Sequence, residues 1–104
     1  MRTERRTAPR SNARLLCNQY IDGTPHLGEA IELSVSGALV RRVIGTNEER
    51  ACYALELGTP DKPEERVFVC ATSVWREGDL EALRFVAQSD RDKARLAALL
   101  RSLN

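Results

Sequence analysis

Aromatic residues are scarce in this chain: one Trp, two Tyr and two Phe make up 5% of 104 residues. A protein that holds single-stranded nucleic acid by stacking needs aromatics interleaved along a basic groove. Tyr20, Tyr53, Phe68, Trp75 and Phe85 are scattered, and Arg41-Arg42 is the one basic pair near any of them, so a nucleic-acid partner is not expected. Histidine is rarer still, and His26 alone gives little acid–base capacity near neutral pH. Phosphate-cradling G-x-x-x-x-G-K-[ST] and G-x-G-x-x-G patterns are missing, as is the G-x-S-x-G elbow. Cys17, Cys52 and Cys70 are odd in number and form no C-x-x-C, and one histidine does not complete a familiar zinc set. The expectation is therefore a non-enzymatic binding module with no metal, its three cysteines buried as free thiols. No apolar run comes near the ~18 residues that cross a bilayer. No apolar stretch follows the basic N-terminus either, so a cytoplasmic protein without membrane insertion is expected.

What is present fits one globular domain: 42% hydrophobic residues, 30% charged, and a formal charge of +1. That charge is unevenly spread, because residues 1–14 hold five arginines and one glutamate. Residues 1–12 lack apolar periodicity and read as a flexible, Arg-rich arm. From residue 13 the pattern changes to short alternating runs divided by polar turns. Strands are expected over 13–21, 30–33, 37–44, 51–57, 67–75 and 80–86, with turns at Asp22-Gly23 and Glu77-Gly78-Asp79. Six closely spaced strands suit a small antiparallel barrel or sandwich. From about 89 to 103 the period is helical: Ser89 and Asp92 resemble a capping box, and Leu96, Leu99, Leu100 and Leu103 form one apolar stripe.

Two places carry chemistry. In the arm, Arg2, Arg6, Arg10 and Arg14 lie four apart, so R-x-x-x-R occurs in three registers. Pro9 keeps Ala8 out of the helical region, and the segment is extended or turned. Guanidiniums on such a segment offer bidentate contacts to phosphate or a guanine edge, and flat faces for stacking. The second place is Ile31 to Val40, a strand that turns at Ser36-Gly37 and leaves as another strand. Glu32 and Ser34 share a face there, a carboxylate beside a hydroxyl, and Gly37 permits a positive φ or a close backbone approach.

Together these segments resemble the PilZ domain family, bacterial receptors for cyclic di-GMP. The family carries R-x-x-x-R before its first strand and [D/N]-x-S-x-x-G across a later strand turn. Glu4-Arg5-Arg6-Thr7-Ala8-Pro9-Arg10 resembles the first motif, and Glu32-Leu33-Ser34-Val35-Ser36-Gly37 the second. Trp75 with Leu83-Arg84-Phe85-Val86 resembles the late hairpin. The resemblance implies a six-stranded antiparallel β-barrel capped by one helix over 13–104, with the arm folding over the barrel mouth. It implies cyclic di-GMP as the ligand, with no cofactor, held by Arg5, Arg6, Arg10, Glu32, Ser34, Gly37 and Trp75, and a signal relayed to an unidentified effector protein. Glu32 departs from the pattern, which has Asp or Asn there. The added methylene raises the alternative of a degenerate adaptor that works through protein contacts alone, for example in motility or pilus function.

Overall fold

The computed structural model describes residues 15–44, 51–58 and 63–103; the arm expected over 1–12 lies outside them. Six strands form: β1 (Leu15–Ile21), β2 (Thr24–Leu33), β3 (Gly37–Arg42), β4 (Tyr53–Gly58), β5 (Val67–Glu77) and β6 (Leu80–Val86), followed by α1 (Asp90–Ser102). They close into an antiparallel barrel in the order β1-β2-β3-β6-β5-β4, with β4 returning to β1. Closure leaves no sheet edge open.

Turn chemistry sets the hairpins. Asp22 and Gly23 both take positive φ (53° and 85°), and Ile21 pairs with Thr24 across them. This is a two-residue turn whose twist matches the flanking strands. β2 begins at Thr24, earlier than its residues suggest. Pro25 and Gly28 are poor strand formers, and the segment is held by its ladder to β1, Tyr20 opposite Pro25 and Cys17 opposite Gly28. β3 stops at Arg42 and not at Ile44, because the amides of Val43 and Ile44 both converge on the Leu27 carbonyl.

The interior follows from alternation. On β1, Leu15, Cys17, Gln19 and Ile21 face in and Leu16, Asn18 and Tyr20 face out. Leu55, Leu57, Val67, Val69, Ala71, Leu83 and Phe85 join Leu15, Cys17 and Ile21 in one core cluster. β2 and β5 each break the alternation once. Ala30 pairs with Val40 but Glu32 pairs with Leu39, so Ile31 is an extra residue on β2. Ser73 pairs with Leu83 but Trp75 pairs with Ala82, so Val74 is an extra residue on β5. After each bulge the sequence changes phase relative to the barrel wall. Leu33 therefore faces in and Glu32 out, where strict alternation from Ala30 would give the reverse. On β5 the same shift sends Arg76 inward. There Glu81, 2% exposed, accepts from Gln19 Nε2 at 3.0 Å and meets Arg76 Nη2 at 3.4 Å.

α1 starts where expected: Ser89 is the N-cap, its hydroxyl accepting from the Asp92 amide at 3.0 Å. Leu96, Leu99 and Leu100 are buried in the core cluster and Leu103 packs against it. Each such leucine contributes about 1.5–3 kcal/mol by leaving water. Arg95 donates to the Arg66 carbonyl at 2.7 Å, which places the helix at the barrel end where β5 begins.

The cysteines correct the expectation of three buried thiols. Cys17 is buried and free. Burial, with a smaller contribution from the charge of Glu29, pushes its thiol up to about 12, and it lies opposite Gly28. Cys52 and Cys70 are joined by a disulfide. Cys52, one residue before β4, and Cys70, on the outer face of β5, meet because the two strands are neighbours in the folded barrel.

Candidate functional site

Two adjacent rows of outward-facing residues cross four strands. The first runs Glu32 on β2, Leu39 on β3, Ala82 on β6 and Trp75 on β5. Three strand spacings separate its ends, about 14 Å along the sheet. Both end residues stand immediately after a bulge, and the bulges turn them outward. Alternation from Ala30 and Ala71 alone would bury a carboxylate at one end and an indole at the other. Ala82 is small and Leu39 apolar, so the row has a low, greasy middle between a carboxylate and an aromatic plate.

The second row lies toward the β2–β3 turn. The Ser34 amide donates to the Gly37 carbonyl at 2.9 Å, Gly37 pairs with Arg84, and Arg84 pairs with Thr72. Ser34 shapes the turn as well: its hydroxyl accepts from the Ser36 amide at 3.2 Å and lies 3.1 Å from the Ser36 hydroxyl. This is a side chain closing a turn on its own backbone. The Phe85 amide donates to the Ser36 carbonyl at 2.9 Å and ties the turn to β6. Gly37 is required by a close approach, because a Cβ there would collide with the Leu83 carbonyl oxygen. Of the two uses of a glycine at this position, close packing of β3 on β6 is the one realised.

Glu32, Ser34, Gly37 and Trp75 are thus brought onto one outer face, while Arg5, Arg6 and Arg10 lie outside the described residues. Leu15, the first described residue, pairs with Ala30, two residues from Glu32. Arg84 was missed by sequence reasoning. It is exposed in the middle of the second row, and its only signal was outward parity between Leu83 and Phe85. Arg41 is exposed on the far side of the first row, 3.9 Å from Asp79 with both side chains about half in water, a contact worth little. Three exposed apolar side chains stand at the ends of this face, Val35 in the turn and Val74 and Trp75 on β5; Val43, Ile44 and Phe68 are exposed elsewhere.

A second polar cluster lies on the opposite wall. The Glu56 carboxylate accepts from Tyr20 at 2.8 Å, Asn18 at 3.2 Å and Arg66 at 3.0 Å. Burial raises its pKa, but the hydrogen bonds from Tyr20 and Asn18 and the Arg66 charge outweigh it and hold Glu56 below the usual carboxylate value. The same bond to Glu56 raises the Tyr20 hydroxyl. With the Glu56 carboxylate held by two side chains of β1 and by Arg66, one residue before β5, this cluster braces β4 against both of its neighbours. Among the described residues no group of three or more His, Cys, Asp or Glu side chains could hold a metal ion, and no helix is long and apolar enough to cross a membrane.

The PilZ domain family model matches residues 4–102. Solved structures with the same fold include the PilZ domain of CeSA from a cellulose synthesizing bacterium, 15% identical with a TM-score of 0.69. That match covers 92% of this chain and 98% of the other. The PilZ domain of YcgR from Escherichia coli, solved with c-di-GMP, is 16% identical with a TM-score of 0.69, and the match covers 95% of this chain and 91% of the other. None of the curated proteins matches the chain.

Proposed function

The chain belongs to the PilZ domain family, and from that premise we propose that it is a cytoplasmic receptor for cyclic di-GMP that relays binding to a partner protein without turnover. The observation that carries this reading is the pair of outward rows, with Glu32, Ser34 and Trp75 on one face beside the point where the arm joins the barrel. Trp75 offers an indole plate for a base, and Leu39 and Ala82 a flat apolar floor. Glu32 accepts from a guanine N–H edge, and the Ser34 hydroxyl contacts the same base. Gly37 keeps β3 close to β6 so that the floor is level. Arg84 supplies a cation at the centre of the second row, within reach of a phosphate that links the two riboses of the dinucleotide.

The arm completes the site. Five residue steps separate Arg10 from Leu15, which lets the Arg10 α-carbon reach up to about 17 Å from the barrel rim. That exceeds the ~14 Å width of the first row. Arg6 and Arg10 then take phosphate oxygens or a guanine O6/N7 edge in bidentate fashion, with Arg5 as a further contact.

Calorimetric titration with cyclic di-GMP, with GTP and GMP as controls, tests this reading. Arg6→Ala and Arg10→Ala should each lower affinity by about 2–4 kcal/mol, the size of a lost charged contact that leaves its partner unpaired. Neither should move the unfolding midpoint. Glu32 in place of Asp or Asn favours a second reading, an adaptor that has lost the nucleotide. Absence of heat with cyclic di-GMP for the wild type and for Glu32→Asp alike would establish that reading instead.

A further inference from the structure

Cys52 and Cys70 stand apart from the ligand rows and from the core. Their sulfurs are joined. Cys52 is exposed, one residue before β4 begins, and Cys70 is half-buried on the outer face of β5. Ala54 is the residue directly opposite Cys70, so Cys52 occupies the diagonal position on the same face. The α-carbons are 6.6 Å apart, inside the range a disulfide spans. The barrel does not need this bond. β4 is laddered to β1 on one side and to β5 on the other, and neither cysteine belongs to the core cluster. Cys17 is the contrast, sealed in the barrel with its thiol pushed up to about 12.

The bond also has something to hold. Thr72, two residues along β5 from Cys70, donates to the Ala51 carbonyl at 2.7 Å. Two anchors therefore fasten Ala51 and Cys52 across β5, one covalent and one a hydrogen bond. Cys52 and Cys70 further form part of the wall of a groove of about 330 Å³, with Phe68, Gln88 and Asp92.

We propose that Cys52 and Cys70 are a reversible thiol–disulfide pair that pins the entry to β4 and shapes this groove according to the redox state of small thiols around the protein. In the oxidising direction the Cys52 thiolate, the exposed one, attacks a low-molecular-weight disulfide such as oxidised glutathione. Its S–S bond breaks, one glutathione thiolate leaves, and a mixed disulfide remains on Cys52. The Cys70 thiolate then attacks the Cys52 sulfur and releases the second glutathione. Two electrons pass to glutathione, and the two cysteine protons end on its thiols by way of solvent. Reduction is the reverse, beginning with an external thiolate at the sulfur of the exposed Cys52. Exposed disulfides are the labile ones.

The test uses the full chain, with no nucleotide, in buffers graded from reduced to oxidised glutathione. Samples are quenched with acid, unfolded and alkylated, and the adducts counted by mass. The expected result is three alkylated cysteines at the reduced end and one, Cys17, at the oxidised end, with the change-over in buffers that contain both forms. The oxidised form should melt several degrees higher, since the closed loop restricts the unfolded chain. Cys52→Ser and Cys70→Ser should each abolish the change-over, and Cys17→Ser should keep it. Three free thiols at the oxidised end would overturn the proposal, as would a bond that survives reduced glutathione alone under native conditions.

Discussion

Along β1 and β4 the side chains alternate in and out without interruption, whereas β2 and β5 each carry one extra residue. The uninterrupted wall holds Leu55 and Leu57, both at 0% exposure, and outside them the braced Glu56. The interrupted strands bound the face that exposes Trp75, Val74 and Val35. One construction gives stability and the other gives a surface. A regular strand can only repeat what its alternation dictates. A bulge lets a strand bury the residues before it and present the ones after it on a different schedule.

The sharpest way to break this division is to truncate one residue on each wall. Leu55→Ala should cost about 2–5 kcal/mol of stability in denaturant unfolding, because a fully enclosed side chain leaves a cavity. Its affinity for cyclic di-GMP, measured where the variant is folded, should stay at the wild-type value. Trp75→Ala should do the opposite. We expect about 1–3 kcal/mol of affinity to disappear with the stacking plate, while the unfolding midpoint moves little. If Trp75→Ala unfolds the protein and leaves binding intact, the two walls have been assigned the wrong way round.

A smaller effect sharpens the site end of the first row. Glu32→Asp shortens the side chain by one methylene and freezes fewer rotatable bonds on binding. Affinity should rise by about 0.5–1.5 kcal/mol, one better-placed hydrogen bond. A fall would mean that the longer side chain is the one fitted to the ligand. The smallest effect belongs to the braced wall and appears only in acid. Glu56 has its pKa lowered in the fold, so its contribution to stability is complete above the ordinary glutamate value. It is lost as the pH falls from there through the lower folded value. Glu56→Gln should flatten that acid limb of the stability profile, and an unchanged limb would show that the brace contributes nothing.

Most of the fold was legible because it rests on local signals. Asp22-Gly23 and Glu77-Gly78-Asp79 announce their turns, Ser89 its helix cap, and the four leucines from 96 to 103 their buried stripe. The start of β2 was not legible, since Pro25 and Gly28 are in a strand only through pairing with β1. Of the site, the shared face of Glu32 and Ser34 could be read from spacing. That Glu32 and Trp75 share one row could not, because it depends on which strands adjoin and where Ile31 and Val74 drop out of register. Arg84 was hidden for the same reason: next to Gly37 in the barrel, it is 47 positions away in the sequence. The Cys52–Cys70 bond needed β4 beside β5, and without that adjacency all three cysteines read as buried thiols.

The phase change on β5 has a counterpart inside the barrel. The residue after Trp75 is Arg76, and its inward turn brings it to Glu81. If β5 slipped by one position, Trp75 or Glu77 would stand opposite Glu81 in its place. The enclosed carboxylate would then lose its cation, at a cost of about 3–5 kcal/mol. The buried pair is therefore a latch on alignment. It holds the indole outward by penalising every arrangement in which the indole is not. Substitutions at Glu81 or Arg76 would then erode ligand affinity from inside the barrel, far from any atom of the ligand, by letting the strand that carries Trp75 wander.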